Sequence, residues 1–178
     1  MYKRQGVIGF GYWGTNLVRN LQNTKNCNVT HIAESEVSRH KQIHELYPDI
    51  EIESFDAIIK NSNIDAVVIA TSISSHYELA KAALENNKHV LVEKPMTSSE
   101  KNAQELVKLS KLKNKILMVD HTYLYSGAVQ EIKKSLDAND GFYDLKHFIY
   151  VLNTGYDEKI PETSSVKDLE NFLNSRKH

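Results

Sequence analysis

Short apolar runs of three to five residues recur along the first two thirds of the chain. Between them lie stretches in which apolar residues return every three or four positions. The runs fall at residues 6–9, 29–33, 66–70, 90–92 and 116–119. Unbroken hydrophobicity over so few residues predicts strands buried on both faces, as in a parallel sheet covered by helices. A weaker strand is expected at 50–52, after the turn-forming Pro48-Asp49. The periodic stretches predict helices near 14–23, 37–46, 55–60, 75–85 and 99–113, the last capped by Ser98 or Ser99. Strand and helix alternating in this way predict an α/β fold with a doubly wound parallel sheet.

The pattern changes late in the chain. Residues 127–136 read as a helix with Val129, Ile132 and Leu136 on one face. Residues 142–152 turn aromatic and β-branched, which predicts a strand at 148–152. From 156 onward the chain is polar and mixed in charge, although Val166, Leu169 and Leu173 allow a short amphipathic helix. The expected organisation is a first domain at 1–122, the first strand of a second α/β domain within 123–155, and a polar tail at 156–178.

Gly9-Phe10-Gly11-Tyr12-Trp13-Gly14 follows the first apolar run and spells G-x-G-x-x-G. The first glycine permits a tight strand-to-helix turn and the second lets backbone reach a pyrophosphate. The third lets the helix pack closely on the strand. Amide groups at the helix start, with its partial positive charge, suit a diphosphate. The next strand ends at Glu34, about twenty residues on, where a carboxylate accepts hydrogen bonds from both adenosine ribose hydroxyls. Strand, glycine turn, helix, strand and acid in this order predict a Rossmann dinucleotide site. Gly9, Gly11, Tyr12, Trp13, Gly14 and Glu34 are its candidate residues. A carboxylate at Glu34 would repel a 2′-phosphate, so NAD is favoured over NADP. Arg39 is the argument for NADP, but it falls within the next helical pattern.

Composition narrows the range of partners. A formal net charge of -1 over 178 residues argues against nucleic acid or an anionic membrane. The single cysteine, Cys27, excludes an intrachain disulfide and fits a reducing compartment. Lys3 and Arg4 lead straight into a strand, and no apolar stretch has the length of a membrane span. A cytoplasmic protein is therefore expected.

Other candidate residues lie just after strands, where ligands bind on open α/β sheets. Glu93-Lys94-Pro95 follows the run at 90–92, and Pro95 restricts Lys94 toward extended geometry. An ammonium placed there can stabilise alkoxide-like charge as hydride leaves carbon. On spacing alone, a solvated Glu-Lys turn explains the tripeptide equally well. Thr71, Ser72, Ser74, Ser75 and His76 follow the run at 66–70, and their hydroxyls suit either the cofactor or a cap on the helix beginning near His76. Asp120-His121-Thr122 follows the run at 116–119. No cysteine pair exists, and the histidines lack the i, i+4 spacing with a carboxylate that zinc enzymes use, so no metal site is expected.

Four ordered blocks carry a family resemblance. They are Val7 to Gly14, Asp65 to Thr71, His76-Tyr77-Glu78-Leu79-Ala80, and Lys88-His89-Val90-Leu91-Val92-Glu93-Lys94-Pro95. Together they resemble the glucose-fructose oxidoreductase / inositol dehydrogenase (Gfo/Idh/MocA) family. Tyr12-Trp13-Gly14, with Asp120-His121-Thr122 and Tyr125, is similar to the branch that oxidises nucleotide-activated sugars. The resemblance implies that Lys94 is catalytic and contacts the substrate hydroxyl, that Glu93 lies beside the nicotinamide, and that Thr71 and His76 line the cofactor crevice. It also implies NAD as cofactor, a small-molecule sugar as substrate, and a homo-oligomer or a complementing subunit. The family usually has proline where this chain has Ser72. Its second domain carries an Asp-x-x-x-His element, whereas Asp157 and Asp168 are followed four residues later by Pro161 and Phe172. The expectation is a truncated sugar dehydrogenase of this type, with a non-catalytic NAD-binding module as the alternative.

Overall fold

The computed structural model describes residues 3–137. The expected strand at 148–152 and helix near the end of the chain lie outside the described residues. The chain divides into two units, Met1–His121 and Thr122–His178. The first contains strands β1 (Lys3–Ile8), β2 (Cys27–Ala33), β3 (Glu51–Ile52), β4 (Ala66–Ile69), β5 (His89–Glu93) and β6 (Leu117–Asp120). Between them run helices α1 (Tyr12–Gln22), α2 (His40–Leu46), α3 (Phe55–Lys60), α4 (Ile73–Glu85) and α5 (Glu100–Leu112). The described part of the second unit holds a 3₁₀ turn at Thr122–Tyr125 and helix α6 (Gly127–Asp137).

All six strands are parallel, in the order β3-β2-β1-β4-β5-β6. This is the doubly wound Rossmann arrangement, and its strand order reverses between β1 and β4. Side chains alternate between the two faces of each strand. Val7 and Val68 join Val18, Ile32 and Ile43 in the core under α1 and α2. Ile8, Val67 and Ile69 join Ile58, Ala80, Leu84 and Leu106 in the core under α3, α4 and α5. Two buried faces explain the unbroken apolar runs. β6 departs from the expectation of double burial, since Met118 is 40% exposed. Among the described residues it is an outer strand, paired with β5 alone.

The segment expected as one helix at 37–46 is two elements, a 3₁₀ turn at Val37–Arg39 followed by α2. The reason lies in Glu34, whose side chain accepts the Glu36 amide and whose carbonyl lies 2.8 Å from His40 Nε2. These contacts tighten the chain before a full helix can begin. α4 starts earlier than expected, at Ile73, with Ser72 at the cap position. Neither Ser74 nor Ser75 caps it. Ser75 Oγ instead donates to the Ser72 carbonyl and contacts Thr71 Oγ1 at 2.7 Å.

Candidate cofactor site

The strand-order reversal leaves a crevice beyond the carboxyl ends of β1 and β4. The Gly9–Gly14 loop leaves β1 there, and Thr71 leaves β4. Gly9 has φ +91°, and a Cβ on it would stand 2.8 Å from the Ala70 carbonyl oxygen. A Cβ on Gly14, in the first turn of α1, would collide with the Gly9 carbonyl. The first and third glycines are therefore demanded by the turn and by the packing of α1 on β1. Gly11 differs. A Cβ there would meet nothing nearer than an Arg39 guanidinium nitrogen at 3.7 Å, so no close contact within the protein requires glycine. A bare backbone at that point leaves room for a ligand to approach the start of α1, which is what a diphosphate needs. Tyr12 and Trp13, both largely exposed, pack edge-to-face beside the loop with centroids 5.2 Å apart.

A cavity of about 610 Å³ opens beside the loop. Gly9, Glu34, His40, Phe55, Thr71 and Ser75 are among its lining residues. Ile8, Ala33, Ile52 and Leu79 give it apolar walls, and the Glu34 carboxylate is its most firmly held polar group. Oε2 accepts the Phe10 amide at 2.6 Å and Oε1 accepts the Glu36 amide at 2.8 Å. Arg39 Nη1 stands 3.3 Å from Oε2. Burial pushes this carboxyl upward, but the Glu36 and Phe10 amides and the Arg39 charge outweigh it, so the group lies below its ordinary value. It is an ionised acceptor at neutral pH. Apolar walls for a base, an ionised acceptor for ribose hydroxyls and an open glycine turn for a diphosphate fit an adenine dinucleotide.

The residues after β5 lie at the same end of the sheet. Glu93 is buried, and its Oε2 accepts the Lys94 amide at 3.1 Å. Burial holds the Glu93 carboxyl above its ordinary value. The Lys94 amide opposes this, while Asp120, its neighbour in the β5–β6 register, reinforces it. Lys94 itself is exposed and precedes a cis peptide to Pro95. His76, a short way after Thr71 in the chain, is turned into the protein. Only 2% exposed, its ring has Nδ1 2.9 Å from the Pro95 carbonyl and Nε2 3.1 Å from the Thr71 carbonyl. Its two ring nitrogens face carbonyls in the loop after β4 and the loop after β5.

Sequence spacing brought Glu34, Thr71 and the glycine loop to one place. It missed the far wall of the cavity, formed by His40, Ser54 and Phe55. Ser54 and Phe55 follow β3 just as Thr71 follows β4, so the same reading of strand ends finds them. His40 had no such signal.

Comparison with known proteins agrees with this geometry. A family model for the Gfo/Idh/MocA oxidoreductases, covering their NAD-binding Rossmann fold, matches residues 3–121. The chain is 30% identical over 133 residues to 2,7-anhydro-N-acetylneuraminate hydratase of Escherichia coli K12, covering 72% of this chain and 34% of that protein. It is 28% identical over 109 residues to dTDP-3,4-didehydro-2,6-dideoxy-alpha-D-glucose 3-reductase of Actinomadura kijaniata, covering 61% of this chain and 33% of the reductase. A crystal structure of a 3-ketoreductase from Actinomadura kijaniata with NADP and TDP-benzene superposes with a TM-score of 0.72 at 27% identity, covering 78% of this chain and 43% of that one. The chain thus spans less than half the length of these relatives.

Proposed function

The chain belongs to the Gfo/Idh/MocA oxidoreductase family, with its NAD-binding Rossmann fold, and from that premise we propose that it serves hydride transfer between NAD and the carbinol carbon of a sugar. Nucleotide-activated sugars are the proposed substrate class, and NAD is preferred over NADP. The sugar assignment draws on the similarity to the dTDP-sugar reductase and on the Tyr12-Trp13-Gly14 form of the glycine loop.

Bound NAD supplies the hydride acceptor. The chain's own residues bind and orient. Gly11 leaves the diphosphate its approach, and Glu34 receives the adenosine ribose. Lys94 donates a hydrogen bond to the sugar oxygen, which lowers the cost of the alkoxide-like charge formed as the hydroxyl proton passes to water and hydride passes from carbon to NAD. Glu93, buried beneath it, fixes the Lys94 backbone through the amide bond at 3.1 Å.

The observation that carries the cofactor preference is the Glu34 carboxylate, ionised and held by two amides inside the cavity. A 2′-phosphate placed there meets like charge at close range. Trp13 is the only tryptophan in the chain and lies in the glycine loop, so its fluorescence reports binding. NADH is expected to bind more tightly than NADPH, and Glu34→Ala is expected to narrow the gap. Equal or tighter binding of NADPH by the unaltered protein overturns the preference.

A further inference from the structure

Outside the cavity's main body, His31 from β2 converges on one face of the sheet with two carboxylates about twenty residues further along the chain. Gly6, His31 and Glu51 stand side by side across β1, β2 and β3. Glu53 lies two residues beyond Glu51, at the spacing that returns a strand to the same face. His31 Nε2 is 3.6 Å from a Glu51 carboxylate oxygen and 3.9 Å from one of Glu53. One donor atom from each of the three residues falls within 4.8 Å of the other two.

The surrounding hydrogen bonds fix what His31 presents to the carboxylates. The Asn63 amide donates to Asn61 Oδ1 at 2.9 Å, which orients the Asn61 side chain. Its Nδ2, a donor, therefore faces His31 Nε2 at 3.4 Å. On the other side of the ring, Nδ1 lies 2.7 Å from Thr30 Oγ1. A proton on Nδ1 and a lone pair on Nε2 give each contact a donor and an acceptor. The nearly buried imidazole thus turns Nε2 toward both the Asn61 amide and the two carboxylates, and a cation bound there would take over the lone pair that Asn61 meets. Among the described residues, no lysine or arginine is paired with Glu51 or Glu53. Three ligand atoms converging in this way form a cluster that can hold a cation between them.

We propose that His31, Glu51 and Glu53 bind a divalent cation of the zinc class. One imidazole nitrogen and two carboxylates are a borderline donor set that favours zinc or cobalt over the all-oxygen ions magnesium and calcium. Tetrahedral zinc, with bonds of about 2.0–2.1 Å, holds its ligand atoms about 3.3 Å apart. The carboxylates therefore need to draw in toward His31 from 3.6 and 3.9 Å, and toward each other from a separation within 4.8 Å. Glu51, with its side chain 70% exposed, is free to do so, while His31 is already oriented by Thr30, as metal-binding histidines are by an outer partner. Three protein ligands leave the fourth position to water. The cation would clip β2 to the two-residue outer strand β3 and to the cavity wall at Glu53.

The test titrates metal-free, untagged full chain with Co²⁺ and Zn²⁺, following the visible absorption of tetrahedral cobalt and its displacement by zinc. One saturable equivalent is expected, unaffected by excess Mg²⁺. Glu51→Gln and Glu53→Gln are each expected to weaken it by about tenfold or more. Circular dichroism checks that the variants fold, and Glu51→Gln, which lies outside the cavity lining, should leave NADH affinity unchanged. His31→Ala should abolish binding, and if that variant fails to fold the two glutamine variants decide. No saturable site below about 1 mM, or equal affinity in the wild type and Glu51→Gln, overturns the proposal.

Discussion

Lys94 and Glu34 divide the proposed chemistry between them, one at the reacting end of the cofactor and one at the adenosine end. Replacing Lys94 by methionine keeps the length of the side chain and removes its donor. Oxidation of a responsive nucleotide sugar should then fall by about 10²–10⁴-fold, with NADH affinity changed little. An unchanged rate removes Lys94 from the chemistry. That both residues stand just beyond strand ends was legible in the sequence, because Glu34 directly follows an apolar run and Lys94 follows another after one intervening residue. The partners of Glu34 were not. That its oxygens accept the Phe10 and Glu36 amides and face Arg39 depends on how the loops after β1 and β2 meet. Arg39, the residue that argued for NADP, is paired with the carboxylate that argues against it.

At the scale of elements, local signals located α5 well, and the structure decides between its two cap serines. Ser99 Oγ accepts the Asn102 amide at 3.3 Å at the start of α5. Ser99→Ala should destabilise the protein by about 0.5–2 kcal/mol, read from urea unfolding, whereas Ser98→Ala should have a markedly smaller effect. Equal losses in the two variants dispose of the cap. Local signals misled where a tertiary contact intervened. Thr71 and Ser75 bond to each other at the head of α4, so the serine that looked like a cap serves the loop. The split of the expected helix at 37–46 has the same origin, in contacts to Glu34 from residues that follow it.

Taken whole, the first unit's outer edge is held partly by a titrating group. His89 Nδ1 accepts the Ile116 amide at 3.0 Å, which anchors the approach to β6. Burial pushes this imidazole below its ordinary value near 6.5, and the charges of Lys115 and Lys3 push it the same way. As pH falls past 6.5 the unfolded chain takes up this proton before the native state does, so the contribution of His89 to stability is lost through that window. Glu93 works in the opposite sense. Its raised value means that the native state holds the proton more tightly, so its contribution is full below 4.5 and is lost as pH rises through its native value. Asparagine at 89 retains an acceptor and removes the titration. The stability advantage of wild type over His89→Asn, measured by urea midpoints, should therefore shrink between pH 8 and pH 5. A constant advantage rejects His89 as the source. Among the described residues, no helix is long and apolar enough to cross a membrane.

The alternation of apolar runs and helical periods determined the α/β class and the two buried faces, because burial on both sides leaves few polar positions at the centre of a strand. Glycine spacing determined the turn after β1, because a Cβ at Gly9 or Gly14 has nowhere to go. Strand order, and with it which strand ends share a crevice, belongs to the tertiary structure. So do the outward exposure of Met118 and the turn of His76 into the protein. The meeting of His31 with Glu51 and Glu53 is of the same kind. Twenty residues separate His31 from Glu51, and they became neighbours only when β3 paired with β2. Sequence periodicity reports which face of an element is apolar, whereas the identity of the residues across that face is fixed by packing.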